Sequence, residues 1–334
     1  MPSDLPERPS PEEHEPEPEV RSGAGLRVAI YFLAVFLTIV FSQGLFVSAV
    51  LGPEEAQRLS EAAQADPTAA PDIDPVLQLW AQVLSAPLAL VVTLFFIRVF
   101  DRRAAYEIGL LWPRGVGLQL FLAVLLAALP LGAWLVLSGP WVESRLEPLD
   151  ASALAETAYL PPGAIGGLVL TLGFLASAFV HELIFRGYIY STFRERFSWV
   201  HAAGLTNLLS VALFAGLPEV QAAGLINIFL LGLVAGALRE KTGDLFLATT
   251  FAGTWNVLLG CALSLPISGQ LYPRLFDHDL QGPEALTGGA FGPEGSWLLT
   301  GPLVVLVLGL AVWVESGLDD EEWMDDIDTD SSPS

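Results

Sequence analysis

The sequence predicts an all-α protein, a polytopic membrane bundle of about eight transmembrane helices between two disordered acidic tails. Of its 334 residues, 53% are hydrophobic and the mean hydropathy is +0.55, a composition that does not suit a soluble globular domain. Several apolar runs also reach about 20 residues, the length that an α-helix needs to cross a bilayer. The chain is therefore expected to be a multi-pass membrane protein that contacts lipids.

The two tails are predicted from their charge. Residues 1–25 are rich in proline and glutamate, and residues 315–334 hold nine acidic side chains and no basic one, in a chain of net charge −22. Such segments bury too little apolar surface to offset the loss of chain entropy, so both are expected to be disordered. The transmembrane domain is then residues 26–314. This acidic balance predicts no nucleic-acid partner.

Eight apolar segments follow one another between the tails. Long polar stretches separate some of them, and these are expected to form loops. The predicted spans are residues 26–51, 76–100, 116–137, 164–190, 200–217, 220–238, 245–263 and 297–314.

The distribution of basic residues predicts the orientation of these spans. With the N-terminus inside, twelve of the fifteen Lys and Arg residues fall on the cytoplasmic side. Cytoplasmic loops carry such an excess in membrane proteins. We therefore expect a plasma-membrane protein with both termini in the cytoplasm.

The fourth span ends in ionisable residues, which makes it the centre of the predicted site. His181, Glu182 and Arg186 close a long apolar run, and charged groups inside a span are functional candidates because they are expensive to hold there. Glu182 and Arg186 are one helical turn apart in the favourable order, so a purely structural ion pair is the competing interpretation. Asn256 in the seventh span is either a further site residue or a hydrogen-bonding link between helices.

Two catalytic patterns were tested on the same helix. A zinc protease helix needs His-Glu-x-x-His. Phe185 occupies the position of the second histidine, so the zinc protease motif is excluded. Ser177 and His181 lie four residues apart on one face and offer a serine–histidine pair. A helical hydroxyl, however, often bonds back to a carbonyl one turn earlier.

Three stretches carry a family resemblance. Residues 177–188 read SAFVHELIFRGY, residues 209–218 read LSVALFAGLP, and residues 252–256 read AGTWN. In order and spacing they resemble the motifs Glu-Glu-x-x-x-Arg, Phe-x-x-x-His and His-x-x-x-Asn of the CPBP (Abi) family of intramembrane proteases, within core residues 164–263. That family includes CAAX prenyl endopeptidases, so the resemblance implies membrane-embedded or prenylated peptides as partners. By resemblance alone it also implies a divalent metal such as zinc, with no ligand assigned.

The chain departs from the family at three catalytic positions. His181 replaces the glutamate that activates the attacking water, while Pro218 and Ala252 replace the histidines of the second and third motifs. Glu182, Arg186 and Asn256 are kept and are the remaining catalytic candidates together with His181. Proline and alanine offer no side-chain base or donor, so a rate loss of at least about 10²–10⁴ is expected.

These observations favour a CPBP-like pseudoenzyme with lost or much reduced endopeptidase activity and a cavity that binds peptides or lipid-modified peptides. One alternative is an active CAAX-type endopeptidase that uses His181 and Glu182 as base or metal ligands. Another is a small-solute transporter or channel built on the Glu182–Arg186 pair. The paired broken helices typical of transporters are not evident in the sequence.

Overall fold

The computed structural model describes residues 23–65, 73–113, 115–148, 159–161, 163–217, 219–273 and 276–330. Most of the acidic leader and Pro218 lie outside these ranges. In chain order the elements are α1 (Ala24–Leu51), α2 (Pro53–Ala65), α3 (Pro75–Phe95), α4 (Val116–Ser138), β1 (Glu143–Pro148), α5 (Gly163–Glu182), α6 (Tyr190–Arg194), α7 (Trp199–Phe214), α8 (Ala222–Thr242), α9 (Phe246–Asn256), β2 (Phe276–Gln281), α10 (Glu284–Thr287) and α11 (Trp297–Asp330).

All eight predicted spans are apolar helices, which confirms the polytopic helical bundle. Six of them are long and apolar enough to cross a membrane. The fifth and seventh are shorter, at Trp199–Phe214 and Phe246–Ala262. The 16 residues of α7 measure about 24 Å, less than the hydrocarbon thickness of about 30 Å. Apolar side chains face outward on the long helices, such as Val136 at 77% exposure, as lipid contact requires.

Two of the expected loops contain regular structure. Residues 52–75 hold helix α2, because Ala, Glu, Gln and Arg are strong helix formers even in a polar segment. Strands β1 and β2 pair antiparallel, with Glu143 opposite Gln281 and Pro148 opposite Phe276. This pairing joins the loop after α4 to the loop before α11, and short charged strands give no clear periodic signal in a sequence.

Helix α11 also extends further than predicted. It continues from the membrane span to Asp330, so the backbone from Glu315 is helical where disorder was expected. A helix that already has a packed apolar stem adds residues at little cost, because nucleation is the unfavourable step. The final four residues lie outside the described part of the chain.

Two packed regions position the site. One core joins α4, α8, α9 and α11, and the other joins α1, α3 and the fourth span. Helix α9 contacts both α5 and α4, so it links the two regions. The α-helix of the fourth span widens into a π-helical segment at Leu183–Ile189, directly after Glu182. Such segments are frequent at functional sites.

Candidate active site

A cavity of about 520 Å³ lies between helices α1, α3, α5, α7, α8 and α9 and the loop before α11. Five of the six motif positions singled out in the sequence line it, namely His181, Glu182, Arg186, Ala252 and Asn256. Helices α5 and α9, whose packing brings these positions together, contact each other directly. The first and third motifs therefore share one cavity. The sixth position, Pro218, is not among the described residues.

Glu182 and Arg186 form a buried ion pair, each with only 2% of its side chain exposed. Arg186 Nε lies 3.3 Å from Glu182 Oε2, an ionic contact whose alignment falls short of a hydrogen bond. Arg186 Nη2 donates to Asn207 Oδ1 at 2.8 Å and to the Gly232 carbonyl at 2.9 Å. A Cβ at position 232 would stand 2.4 Å from Asn207 Oδ1. Glycine is therefore required where the guanidinium meets the backbone of α8.

His181 connects this pair to helix α7. Its Nδ1 lies 3.2 Å from Glu182 Oε1, and its Nε2 lies 3.0 Å from Ser210 Oγ. Arg186 Nη1 is 3.4 Å from the same Nδ1. The imidazole is 35% exposed, so it faces the cavity while both of its nitrogens have polar neighbours. The sequence identified His181, but it gave no signal for Ser210, which is 29 residues away along the chain.

Ser177 has a different partner from the one that its spacing suggested. Its hydroxyl donates to the Gln82 side chain of α3, and the serine beside His181 Nε2 is Ser210. Position i−4 shares a helix face with His181, yet the packing of α3 against α5 supplies a closer acceptor. The Ser177–His181 pair is therefore not formed in this structure.

Helix α9 supplies the second wall of the site. Asn256, its last residue, is half-buried and lines the cavity. Ala252, one turn earlier, presents only a methyl group to the same space. The neighbouring Trp255 donates its indole N–H to Glu294 Oε1 at 2.9 Å.

Glu294 is a second buried acid in the cavity, and sequence reasoning missed it. It lies in a short 3₁₀ turn before α11, is only 4% exposed, and accepts from Ser268 N and Oγ, both at 2.7 Å, as well as from Trp255. Burial raises the pKa of this carboxyl, against the lowering effect of its three hydrogen bonds. Its loop runs through Gly292 at φ 87°, where a Cβ would stand 2.3 Å from the Pro266 carbonyl oxygen.

The donor set does not fit a bound metal. Structural and catalytic zinc sites use three or four protein ligands, and no group of three His, Cys, Asp or Glu side chains suited to a metal occurs among the described residues. His181 and Glu182 are two such side chains, and they contact each other.

Comparison with known proteins agrees with the geometry. Residues 163–258 match the family model of type II CAAX prenyl endopeptidase Rce1-like proteins. The match begins with α5 and ends two residues after Asn256, so it contains all three motifs and confirms the predicted CPBP resemblance over this segment. A search of curated proteins found no match. The fold is therefore a polytopic helical membrane bundle, and residues 163–258 within it are similar to Rce1-like type II CAAX prenyl endopeptidases.

Proposed function

We propose that this protein binds a membrane-embedded or prenylated peptide in its cavity and that it has lost most or all of the family's water-activated endopeptidase activity. The observation that carries the proposal is that the cavity wall at the third motif has an alanine where the family has a histidine. Ala252 offers no base or donor to the cavity, and Glu182 is in ionic contact with Arg186. Hydrolysis needs a base within reach of the water and donors for the oxyanion.

The cavity walls support binding of an apolar ligand with a polar end. Aromatic and aliphatic side chains of α1 and α7, such as Phe32, Val35 and Leu213, line one part of it. Polar groups converge elsewhere, including Gln82 and Asn256. Mostly apolar cavities with a few placed polar groups are typical ligand sites. A lipid-modified peptide has this same combination of an apolar chain and polar amides.

Binding and cleavage are tested together on purified full-length protein in lipid nanodiscs. A farnesylated peptide with a photoreactive group is expected to crosslink to cavity residues, and an unlabelled farnesylated peptide is expected to compete. Substituting Leu213→Trp to fill the cavity should reduce crosslinking, whereas Leu308→Trp on the lipid-facing side of α11 should not. Mass spectrometry of the peptide should show no product above the protein-free control. Cleavage that disappears in Glu182→Ala or His181→Ala would overturn the loss of activity.

The contacts of the Glu182–Arg186 pair do not support the transporter alternative. Glu182 and Arg186 contact each other, and Arg186 also binds Asn207 and Gly232. A transported solute would have to displace these contacts within a buried network.

We further propose the plasma membrane as the location, with both termini cytoplasmic. Cys261 is the only cysteine in the sequence, so one substitution gives a cysteine-free background. In intact cells an impermeant maleimide is expected to label Ser60→Cys on α2 and to spare Ser198→Cys between α6 and α7. The reverse pattern would invert the topology.

A further inference from the structure

We propose that Ser210, His181 and Glu182 form a nucleophile–base–acid relay that accepts the acyl group of an apolar ester in the cavity. This goes beyond the proposed peptide binding, because the first step uses a serine oxygen instead of an activated water. The residue that attacks lies on α7, outside every position that the family motifs single out.

The distances match the geometry that serine nucleophiles need. Ser210 Oγ lies 3.0 Å from His181 Nε2, and Glu182 Oε1 lies 3.2 Å from His181 Nδ1. A nucleophile within about 2.6–3.2 Å of a base, with the base oriented by a third group, is the general signature of this chemistry. Ser210 lines the cavity together with both partners, so an acyl group bound there meets the hydroxyl.

The carboxylate decides which nitrogen of the imidazole accepts the serine proton. If Nδ1–H donates to Glu182 Oε1, Nε2 carries the free lone pair and faces Ser210 Oγ. The competing donor to Nδ1 is Arg186 Nη1, at the longer distance of 3.4 Å. A carboxylate is a stronger partner than a distant guanidinium N–H, so the arrangement favours the reactive tautomer.

Ser210 is bonded differently from several other helical hydroxyls among the described residues. Ser85, Ser138 and Thr192 donate to carbonyls of their own helices, the usual behaviour of such groups. The hydrogen bond of Ser210 is made with an imidazole of another helix. A hydroxyl turned from its own backbone toward a base is placed for proton transfer.

The Ser210 oxygen forms a bond to the ester carbonyl carbon, and its proton passes to His181 Nε2. The carbonyl–alkoxy bond then breaks, and the leaving alkoxide takes the proton from Nε2. Water releases the acyl group by the reverse transfers. Asn256 lines the same space, and its amide is the neutral kind of donor that stabilises an oxyanion.

The test is labelling of purified full-length protein by an alkyl fluorophosphonate, followed by peptide mapping. We expect one phosphonyl adduct at Ser210, no adduct in Ser210→Ala, and labelling slowed at least about 10²-fold in His181→Ala. Ser177→Ala is the matched control, since Ser177 lines the same cavity but donates to Gln82. This variant should still be phosphonylated at Ser210 at the wild-type rate. An adduct at Ser177, or no adduct on folded protein, would overturn the proposal.

A second variant guards against loss of structure in the first. Ser210→Cys in a Cys261→Ala background is expected to react with an alkylating reagent much faster than the same background carrying Ser177→Cys, and His181→Ala should remove that advantage. Equal rates at both positions would contradict the relay. Binding of the farnesylated peptide is measured on the same samples. Peptide crosslinking without phosphonylation would refute the relay alone, and the reverse result would refute the proposed peptide binding alone.

Discussion

Glu182 and Glu294 are two buried acids that line one cavity, yet they are held in opposite ways. Glu182 lies inside a membrane span and contacts the guanidinium of Arg186 and the imidazole of His181. Glu294 lies in a loop outside the spans and receives three hydrogen bonds from the uncharged groups of Trp255 and Ser268. One acid is balanced by charge and the other by neutral donors.

This difference sets what each acid contributes. A buried charge whose partner is removed becomes strongly destabilising, so Glu182 depends on Arg186 for its counter-charge. The neutral donors of Glu294 only partly offset its burial, which is why its pKa is raised. Glu294 in turn ties the loop before α11 to Trp255 on α9, next to Asn256. Glu182 thus lies in the polar cluster of His181 and Arg186, and Glu294 anchors the loop before α11.

The largest effect is expected for Arg186→Met, which leaves Glu182 buried without a counter-charge. The loss should be about 3–5 kcal/mol of unfolding free energy, measured by thermal or denaturant unfolding in detergent. The double variant Glu182→Gln with Arg186→Met is the control and should recover a large part of that loss. If the double variant is as unstable as the single one, the pair is not held together by charge.

Glu294→Ala should cost about 3 kcal/mol, because it leaves the buried indole N–H of Trp255 and the half-buried donors of Ser268 unpaired, and each buried unpaired group costs about 1–3 kcal/mol. The same unfolding measurement gives the value. Peptide binding should weaken as well, since the wall that carries Asn256 loses its anchor. A change below about 1 kcal/mol would mean that water takes over these donors.

The difference in stability between the wild type and Glu294→Ala should also change with pH, by less than the effects above. The raised pKa means that the folded protein keeps a proton on Glu294 that the unfolded chain has already released. Stability associated with this carboxyl is therefore present below the unfolded value of about 4.3 and declines as pH rises toward the folded pKa. The advantage of wild type over Glu294→Ala should shrink over that range, as seen in unfolding midpoints. A stability advantage of the wild type that grows as pH rises would contradict a raised pKa for Glu294.

Trp255→Phe removes one of the three donors to Glu294 and keeps most of the ring. A loss of about 1 kcal/mol is expected, the net worth of an ordinary hydrogen bond. This loss is measured by unfolding Trp255→Phe and Glu294→Ala under the same conditions. A loss as large as in that variant would assign the effect to ring packing instead.

The smallest effect is expected for Arg58→Ala on α2. Arg58 Nη1 lies 3.1 Å from Glu55 Oε2, but the Arg58 side chain is 74% exposed and that of Glu55 is 47% exposed. The loss of unfolding free energy should therefore stay below about 0.5 kcal/mol. It serves as the solvent-exposed reference for the Glu182–Arg186 pair. A loss above 1 kcal/mol would show that α2 packs more tightly than its exposure indicates.

Part of the site could be predicted from the sequence. His181, Glu182, Arg186 and Asn256 were found from charges inside apolar runs and from motif spacing, and the cavity brings all four together. Ser210 and Glu294 were not found, because a serine in a helix and an acid in a polar loop are common and carry no local signal. The Ser177–His181 pair was suggested by spacing and is replaced by Ser210, since a helix face does not say which neighbouring helix meets it.

The sequence by itself determined the eight apolar helices of a polytopic membrane protein, because span length and hydropathy are properties of consecutive residues. Only the tertiary structure decided that β1 pairs with β2 and which hydroxyl meets His181. These outcomes depend on contacts between segments far apart in the chain, such as the 29 residues between His181 and Ser210. The physical reason is that side-chain partners are set by how helices pack, and packing is a property of the whole bundle.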